Sequence, residues 1–594
     1  MTLADALDDD QRAILDHVLT GHARRIIVES PPGTGKTHAA IICAAETARR
    51  ALSRHQRVLI LTFSATARTQ LERYASEWLG PDPDDRSGVE ISNFHAFYLK
   101  YVWSNRALLG LPSELRLESP AQRGQFLRET LAPYEIEDGK EDEWGSVLDQ
   151  LISGVEPIPE CAGKEKIVEV LQTAILNRNK AGRLYYDDFA YYFSTLAKKD
   201  PGLLAVLRYK YPLMILDEYQ DSSDAQHMLT ELLLGREGRA LVFADEMQCI
   251  YEWRGARRGR IAGIRDRCDA SPVTLTHYHR YTHTPVLLDV LIKARAFLSG
   301  QSSERIPVVP GVLELRQPTD GLGPLSPVYE ARKIATAATR ETGVDSVAVI
   351  CYANSGVSEC RKHFRKYGLY ARQVGVQEAL HNCIGDLIED LRGETQLRTT
   401  SGILACLEII LAGDEDYDAL CKKPQGKFRC CLRRKGMQEA VHRAAGSGKP
   451  LVLNLAECLR AIRLLPKCEH RRQMDWEVLA VLQRIADAAA RVSSAEEAVE
   501  QLTNLFLQEQ HLIRSRKPRG VYVLNAHQSK GKEFDVVILV APVSRRHGVF
   551  GFPVKTDEDR RVLYVVLTRA KKRISIIPSA GARQLLAIFE DSPH

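Results

Sequence analysis

The segment Phe243–Arg257, FADEMQCIYEWRGAR, combines two kinds of chemistry within a few residues. Asp245 and Gln248 follow an apolar strand pattern, and an acid and an amide at the carboxyl end of a strand can meet the terminal phosphate of a nucleotide. The aromatic rings of Tyr251 and Trp253 come next and can stack on bases. The segment therefore predicts contact with both ATP and a nucleic-acid strand. A strand followed by a loop with two core aromatics would show the same pattern, so the rest of the chain must decide.

A phosphate-binding loop is predicted at Pro31–Ala40, PPGTGKTHAA, directly after the apolar strand pattern Arg25–Ser30, RIIVES. The glycines of the loop let backbone N–H groups surround phosphate oxygens. Lys36 is expected to reach the β- and γ-phosphates of ATP, and the Thr37 hydroxyl is expected to hold Mg²⁺. The predicted nucleotide-binding residues of this segment are Ser30, Pro31, Pro32, Gly33, Thr34, Gly35, Lys36 and Thr37.

An acidic pair ends the apolar pattern of Leu213–Asp221, LMILDEYQD. We expect Asp217 to hold Mg²⁺ through a water molecule, and Glu218 to orient and deprotonate the water that attacks the γ-phosphate. A strand with a solvated acidic end would look the same if it stood alone. The phosphate-binding loop in the same chain favours the catalytic interpretation.

A basic helix pattern near the C-terminus, Asp559–Arg573, reads DRRVLYVVLTRAKKR. It would present Arg569 near one end, and an arginine supplied from a second lobe can stabilise the charge that develops on the γ-phosphate. Taken alone, the segment would favour the interpretation as a basic helix face on the surface.

These segments, in this order, resemble those of superfamily 1 helicases of the UvrD/Rep/PcrA type, and the resemblance extends along nearly the whole chain. LDEYQD resembles the family's DEFQD, DEMQCIYEWRGA its DDDQSIYGWRGA, and NAHQSKGKEF its TxHxxKGLEF. The implied fold class is α/β, with two RecA-like P-loop NTPase lobes that each carry a mostly helical insertion. The implied activity is ATP hydrolysis coupled to DNA strand separation, with ATP and Mg²⁺ as cofactors.

The resemblance also implies roles for individual residues. Gln11, in LDDDQ, would read the adenine edge, and Glu533 would contact the ribose. Arg280 would be a second arginine that reaches the γ-phosphate from the second lobe. The implied catalytic residues are Lys36, Asp217, Glu218, Gln248, Arg280 and Arg569. The implied DNA-binding residues are Phe63, His95, Tyr251, Trp253, Arg254 and His527.

Two predicted nucleotide-binding positions depart from the family pattern. His279 stands where the family's NYR triplet has the tyrosine that stacks on adenine, and His38 stands where an arginine commonly covers the other face. An imidazole ring stacks with less area than tyrosine and titrates near neutral pH. We therefore expect a nucleotide affinity that is weaker or sensitive to pH, with Tyr278 or Tyr281 as alternative stacking residues.

The resemblance implies two lobes with insertions. Within the first insertion, the aromatic stretch Tyr185–Phe193 is predicted to pack against the lobe, with contact to DNA as the alternative. Within the second, the basic clusters Arg429–Lys435 and Arg514–Arg519 would bind duplex phosphates or form solvated faces. The expected boundaries are 1–98 and 205–271 for the first lobe, 99–204 for its insertion, 272–391 and 518–594 for the second lobe, and 392–517 for its insertion.

The composition is globular, and the net charge of the 594 residues is only +5, so a nucleic-acid surface must be a local groove. The chain has no apolar run long enough for a bilayer-spanning helix and starts without the pattern of a signal peptide. We therefore expect a cytoplasmic protein with no membrane partner and with reduced cysteines. A metal site at Cys421, Cys430 and Cys431 is an alternative to buried free thiols.

The predicted function is that of an ATP-dependent helicase or translocase that moves on single-stranded DNA and acts at junctions of single- and double-stranded DNA. The resemblance implies 3′→5′ travel and a role in DNA repair or replication, with a nuclease or another repair or defence protein as a further partner. Two alternatives stay open: the helicase subunit of a Gabija-like antiphage complex with a nuclease, and an ATP-dependent DNA sensor that does not unwind.

Overall fold

A computed structural model describes residues 3–21, 24–63, 65–79, 88–113, 115–117, 120–134, 141–153, 165–185, 187–252, 256, 260–261, 264, 273–317, 326–367, 369, 371–373, 520–540, 552–579 and 582–590. The chain divides into two compact units, Met1–His283 and Thr284–His594. Several sequence predictions fall outside the described residues: the insertion at 392–517 with its basic clusters, the site at Cys421, Cys430 and Cys431, and the DNA-binding roles of Trp253 and Arg254.

The first unit is built around a parallel sheet with the strand order β3-β2-β6-β7-β1-β8. Its strands β1, β2 and β6 are apolar along most of their length because both faces of a parallel sheet are covered. β4 and β5 pair only with each other. The strands are β1 (Arg25–Glu29), β2 (Val58–Thr62), β3 (Val89–Asn93), β4 (Arg116–Leu117), β5 (Arg183–Leu184), β6 (Leu213–Asp217), β7 (Arg239–Ala244) and β8 (Val273–Thr274).

Helices cover both faces of this sheet, and alternate residues of a strand pack on opposite faces. The helices of the first unit are α1 (Asp9–Thr20), α2 (Lys36–Ala51), α3 (Ala65–Leu79), α4 (Phe94–Ser104), α5 (Pro120–Leu131), α6 (Glu141–Ser153), α7 (Glu165–Lys180), α8 (Asp188–Lys199), α9 (Pro201–Lys210) and α10 (Asp224–Leu234). Of these, α5, α6 and α7 pack together in a separate core. Ile26 of β1 packs with α1, α2 and α3, whereas Ile27 packs with α4, α8 and α10. Phe189 and Phe193 of α8 belong to the second of these cores, so this part of the aromatic stretch packs against the lobe, as predicted.

The second unit has its own parallel sheet, with the strand order β11-β12-β10-β13-β14-β9. Val347 and Val349 of β10 pack in a core with Val328 and Phe364 from two flanking helices. The strands are β9 (Leu313–Leu315), β10 (Ser346–Cys351), β11 (Arg372–Gln373), β12 (Gly520–Asn525), β13 (Phe534–Val540) and β14 (Ala570–Ile577). The helices are α11 (Pro285–Leu298), α12 (Ser326–Ala338), α13 (Asn354–Lys366), α14 (Ala526–Ser529), α15 (Asp557–Leu567) and α16 (Arg583–Leu586).

The predicted fold class is confirmed: the chain is α/β, with a parallel sheet in each of two units, as expected of two RecA-like lobes. β8 pairs with β1, so the sheet of the first unit extends beyond the lobe boundary that was predicted between residues 271 and 272.

Four cysteines of the described part are free and buried: Cys43, Cys249, Cys351 and Cys360. None of the helices in the described residues is long and apolar enough to cross a membrane.

Candidate active site

The phosphate-binding loop connects β1 to α2, whose first residue is Lys36. Gly33 and Gly35 have φ angles of +89° and +76°, in the left-handed region that favours glycine. A Cβ atom on Gly35 would lie 2.8 Å from Gln11 Nε2, and one on Gly33 would lie 2.9 Å from Arg280 Cβ. Both positions therefore need glycine, because of the backbone angles and because of close neighbours.

The other residues of the loop form a buried frame. Ser30 N donates a hydrogen bond to Ala244 O at 3.0 Å, and the Thr34 hydroxyl donates to Pro31 O at 2.8 Å. Ser30 is fully buried, so only a small residue fits at this first position of the motif. Pro31, Pro32 and Thr34 are buried as well, whereas Gly33, Gly35, Lys36 and Thr37 are partly exposed and can face a ligand.

Lys36 and Glu218 form an ion pair through Nζ and Oε1, and each side chain is 19% exposed. Glu218 directly follows β6 and has a φ of +53°, the only positive φ of a non-glycine residue in the described part of the chain. Such a backbone costs about 1–3 kcal/mol and persists only where the surrounding structure enforces it. The predicted general base is therefore held by its fold in an unfavourable backbone conformation, a feature that is common at functional sites.

Gln220 connects this ion pair to the segment after β7. Its Nε2 donates to Glu218 Oε2 at 2.6 Å, and its Oε1 accepts a hydrogen bond from Asp245 N at 3.2 Å. Asp245 Oδ2 in turn accepts from Gln248 Nε2 at 3.0 Å. Gln220 was not predicted as a site residue, because its contact depends on β6 and β7 being neighbours in the sheet. The sequence signal that could have identified it is its position two residues after Glu218 at a strand end.

Thr37 and Asp217 are the residues predicted to hold Mg²⁺. Asp217 is the last residue of β6 and is 5% exposed, and Thr37 lies in the first turn of α2. A carboxylate and a hydroxyl beside a phosphate-binding loop offer the oxygen donors that Mg²⁺ prefers. The residues present therefore fit this ion.

Gln11 and His279, both predicted to meet adenine, lie against the phosphate-binding loop. Asp8 Oδ1 accepts from Gln11 N at 2.9 Å and Gln11 Oε1 accepts from Asp8 N at 3.3 Å, which is a capping box at the start of α1. Gln11 Nε2 donates to Thr34 O at 3.3 Å. Asp8 Oδ2 lies 2.7 Å from His279 Nε2, and a Cβ atom on Gly35 would lie 3.1 Å from His279 Cδ2. Gln11 is fully buried, and its amide is hydrogen-bonded both to the phosphate-binding loop and to the start of α1.

His38 is held by different partners. Its Nε2 lies 3.2 Å from Ala6 O, and its ring centroid lies 4.7 Å from that of Trp78 in an edge-on arrangement. Tyr281, one of the two alternative stacking residues, is 2% exposed, and its Cε2 would lie 3.1 Å from a Cβ atom on Gly33. Tyr281 is therefore part of the packing against the loop and is too buried to stack on a base.

A second acid–histidine pair lies next to the pair formed by Asp8 and His279. Asp10 Oδ2 accepts hydrogen bonds from Thr276 N and Thr276 Oγ1, both at 2.7 Å, and lies 3.2 Å from His277 Nδ1. Burial opposes ionisation of Asp10, but its hydrogen bonds with Thr276 and His277 outweigh burial and lower its pKa. The hydrogen bond with Asp10 raises the pKa of His277. These contacts fasten the segment after β8 to the start of α1.

Arg280 lies beside the phosphate-binding loop in the first compact unit. Its backbone N–H donates to Gly33 O at 3.2 Å, and it belongs to the first compact unit. The sequence prediction assigned it to the second lobe, whereas in the structure it groups with the first compact unit. The reason is that β8 extends the first sheet beside β1, and the residues after β8 return over the loop, where the absent side chain of Gly33 permits close approach. Its predicted contact with the γ-phosphate stays a prediction.

Three predicted residues lie in the second unit. Arg569 follows α15 and is 3% exposed, and its guanidinium donates to Val565 O at 2.8 Å and to Thr568 Oγ1 at 2.9 Å. Glu533 directly precedes β13, and His527 lies on α14; both are partly exposed. The structure therefore holds Arg569 against its own helix.

Phe63 and Tyr251 are the predicted DNA-binding residues that the structure brings together. Phe63 directly follows β2, and its ring stacks on that of Tyr251, with centroids 5.7 Å apart and an interplanar angle of 22°. Both residues are partly exposed. His95, on α4, has its Nε2 3.6 Å from Asp187 Oδ1. A stacked, partly exposed aromatic pair is a suitable platform for a nucleic-acid base.

Comparison with known proteins adds an independent result. The UvrD/REP helicase N-terminal domain matches residues 7–269, and the UvrD-like helicase C-terminal domain matches residues 425–580. DNA helicase II of Haemophilus influenzae is 22% identical over 98% of this chain and 85% of its own length. The ATP-dependent DNA helicase Rep of Salmonella typhimurium is 28% identical over 39% of this chain and 35% of its own length. The ATP-dependent DNA helicase PcrA of Bacillus subtilis is 25% identical over 38% of this chain and 31% of its own length.

Proposed function

The chain belongs to the UvrD/Rep/PcrA-like superfamily 1 helicases, and we propose that it couples ATP hydrolysis to movement along single-stranded DNA and to separation of duplex strands. The enzyme class, an ATP-hydrolysing DNA helicase, follows from this membership. The relative from Haemophilus influenzae that aligns with 98% of the chain is named as a DNA helicase, which supports a DNA substrate.

Lys36 and Glu218 carry the hydrolysis step of this proposal. Lys36 binds the β- and γ-phosphates, and Glu218 removes a proton from the attacking water. Their ion pair places the ammonium group and the carboxylate together at the phosphate-binding loop. Phosphate oxygens compete with Glu218 for Lys36, so binding of ATP frees Glu218 Oε1 to accept the proton of water. Thr37 and Asp217 would hold Mg²⁺, and the bound ion would supply positive charge that offsets the charge of the phosphates.

The continuous set of hydrogen bonds from Lys36 to Gln248 is the observation that carries the proposal. Lys36, Glu218, Gln220, Asp245 and Gln248 form one connected group at the ends of β6 and β7. The aromatic pair for DNA contains a residue only three positions after the last member of this group. A change at the phosphate therefore has a short route to the DNA platform, as a motor requires.

Stacking on the aromatic pair supports binding of single-stranded DNA without sequence preference. Base–aromatic stacking contributes roughly 1–3 kcal/mol per base and tolerates any base. Phe63 and Tyr251 contribute two such rings at one place in the first unit. The substrates that fit are a single strand and a junction of single- and double-stranded DNA.

The remaining roles stay proposals drawn from the family. Arg569 acts as an arginine finger only if its guanidinium exchanges the hydrogen bonds with Val565 and Thr568 for a phosphate. Travel in the 3′→5′ direction and a role in DNA repair or replication rest on family membership. The alternatives of an antiphage complex with a nuclease and of a non-unwinding sensor remain hypotheses, because no contact in the described residues favours either of them.

A paired assay of ATP turnover and strand separation tests the proposal. We expect single-stranded DNA to stimulate turnover and a duplex with a 3′ tail to be unwound in preference to one with a 5′ tail. Glu218→Gln should lower kcat for ATP by about 10²–10⁴-fold, the usual contribution of a general base. Glu237→Gln is the matched control, because the same change is made on a side chain that is 75% exposed.

Each result has a defined meaning. Normal ATP turnover in Glu218→Gln would refute the role of Glu218 as general base. Preference for a 5′ tail would reverse the proposed direction. DNA-stimulated turnover without unwinding of either substrate would favour the sensor, and absence of any DNA effect would refute the proposed function as a whole.

A further inference from the structure

Gln220 occupies a position that neither the predicted catalytic set nor the predicted DNA-binding set includes. Its side chain is 2% exposed and bridges the ends of two neighbouring strands, β6 and β7. One end of its amide holds the Glu218 carboxylate at 2.6 Å, and the other end accepts from the backbone of Asp245 at 3.2 Å. Its own backbone carbonyl accepts from Cys249 Sγ at 3.3 Å. Gln220 is therefore fixed from three directions.

The amide of Gln220 can adopt only one orientation in this place. Its NH₂ group faces a carboxylate, which is an acceptor, and its carbonyl oxygen faces a backbone N–H, which is a donor. Rotation of the amide by 180° would place its oxygen against the Glu218 carboxylate and its NH₂ group against the N–H of Asp245. No other side chain of this length supplies a donor at one point and an acceptor at the other, so glutamine is the residue that fits.

The two oxygens of the Glu218 carboxylate have different partners. Oε1 pairs with Lys36, and Oε2 accepts from Gln220. When Lys36 binds phosphate, its contact with Oε1 is weakened, whereas the contact between Oε2 and Gln220 needs no change. Gln220 is then the contact that keeps Oε1 directed at the attacking water.

We propose that Gln220 is a positioning residue that orients Glu218 for proton transfer and couples it to the turn formed by Asp245 and Gln248. This proposal rests on the proposed function, since it assigns a partner to the general base of that reaction. Movement of the turn displaces Asp245 N, and with it Gln220 Oε1 and the Glu218 carboxylate. DNA bound at Tyr251, which follows this turn, thereby changes the orientation of the base and the rate of ATP hydrolysis.

Two substitutions of Gln220 and one matched control test this inference. Gln220→Glu keeps the length of the side chain but sets a second carboxylate against Glu218. Gln220→Met keeps the length and removes both hydrogen bonds. The control is Gln226→Glu, because Gln226 is also buried and belongs to the capping box of α10, where glutamate serves as well as glutamine. Melting temperatures establish that each variant is folded.

The expected results separate a positioning role from a purely structural one. Both Gln220 variants should lower kcat for ATP by about ten- to a hundredfold, with KM for ATP changed by less than about threefold, because orientation and not binding is lost. The stimulation of turnover by single-stranded DNA should fall by a similar factor. In Gln220→Glu alone, the acidic limb of the plot of kcat against pH should move to higher pH by about one unit. The reason is that a second carboxylate disfavours the charged form of Glu218. Gln226→Glu should behave as wild type.

Other results would overturn the inference. If the Gln220 variants keep wild-type kcat and DNA stimulation, or if Gln226→Glu shows the same losses, Gln220 has no positioning role. If Gln220→Glu does not fold, Gln220→Met tests the inference instead, because loss of a positioning role lowers kcat and leaves KM nearly unchanged. The wild-type enzyme distinguishes failure of this inference from failure of the proposed function. If the proposed function is wrong, turnover by the wild type is insensitive to DNA. If only the inference about Gln220 is wrong, DNA still stimulates the wild type.

Discussion

The two ends of the candidate nucleotide site are built in opposite ways. At the phosphate end, Glu218 and Gln248 belong to one connected group of mostly buried side chains that includes a strained backbone and an ion pair. At the base end, which comprises the residues predicted to meet adenine, His38 and His279 have separate partners, Ala6 with Trp78 and Asp8 respectively. The phosphate end therefore has little freedom to move, whereas His38 and His279 of the base end can change independently of each other.

This difference indicates which properties of the enzyme tolerate change. The chemistry of phosphoryl transfer requires fixed positions for the general base and the cation, and a connected, buried group supplies them. Recognition of the base contributes affinity only, so a substitution there alters binding by a small factor and leaves the reaction intact. The departure of His38 and His279 from the family pattern falls at the end where such a change is tolerated.

The largest expected effect comes from Gly35→Ala, which disturbs both ends at once. The new Cβ atom would lie 2.8 Å from Gln11 Nε2 and 3.1 Å from His279 Cδ2, on a backbone with a φ of +76°. The left-handed backbone alone costs about 1–2 kcal/mol for alanine. We expect kcat/KM for ATP to fall by at least about tenfold, measured as steady-state turnover.

Gly110→Ala is the matched control for this prediction. Gly110 has a φ of +71°, but nothing lies within 4 Å of its Cβ position. The same backbone strain should lower stability by about 1 kcal/mol and leave turnover unchanged. Equal losses of turnover in the two variants would show that the loop does not depend on close contact with Gln11 and His279.

The residues of the phosphate end lie in short, ordered patterns, so a sequence is enough to propose them as a site. The apolar strand, the glycine loop and the acidic pair each depend on neighbours in the chain, and the structure brings Lys36 and Glu218 together in an ion pair. The fold class was implied by the family resemblance, and the parallel sheet in each of the two units confirms it.

The features that the sequence did not predict all depend on contacts between distant segments. The bridge formed by Gln220 requires that β6 and β7 be neighbours, and the location of Arg280 requires that the chain return over Gly33 after β8. The partner of His279 is Asp8, which is separated from it by most of the first unit. No local pattern contains this information, because it arises from the order of strands in the sheet.

A smaller effect is expected from His279→Tyr, which restores the aromatic residue of the family at the base end. Aromatic stacking contributes about 0.5–1.5 kcal/mol beyond area burial, so KM for ATP should fall by about two- to tenfold while kcat stays near wild type.

His283→Tyr is the matched control, because the same change is made four residues away on an exposed side chain. An unchanged KM in His279→Tyr would show that residue 279 does not contact the base. A fall in kcat with unchanged KM would contradict the division between the two ends, because a residue of the base end would then affect the chemistry.

The smallest effect concerns the contact between Asp10 and His277, which fastens the segment after β8 to α1. The pKa of His277 is raised above its ordinary value of 6.5 by the hydrogen bond with Asp10. A histidine with a raised pKa in the folded state binds its proton more tightly there than in the unfolded chain. Its contribution to stability is therefore fully present below about pH 6.5 and is lost as pH rises through the raised value.

Melting temperatures of the wild type and of His277→Gln, measured from pH 5.5 to 8.5, test this expectation. The wild type should melt higher by at most about a few degrees below pH 6.5, and the two curves should converge at higher pH, because the pair is exposed and screened by solvent. His55→Gln, on an exposed loop residue, should show a constant difference over the same range. A difference between wild type and His277→Gln that grows with pH would mean that neutral His277 is the stabilising form. The segment after β8 would then be held to α1 by neutral hydrogen bonds, and the charge pairing inferred for Asp10 and His277 would have to be abandoned.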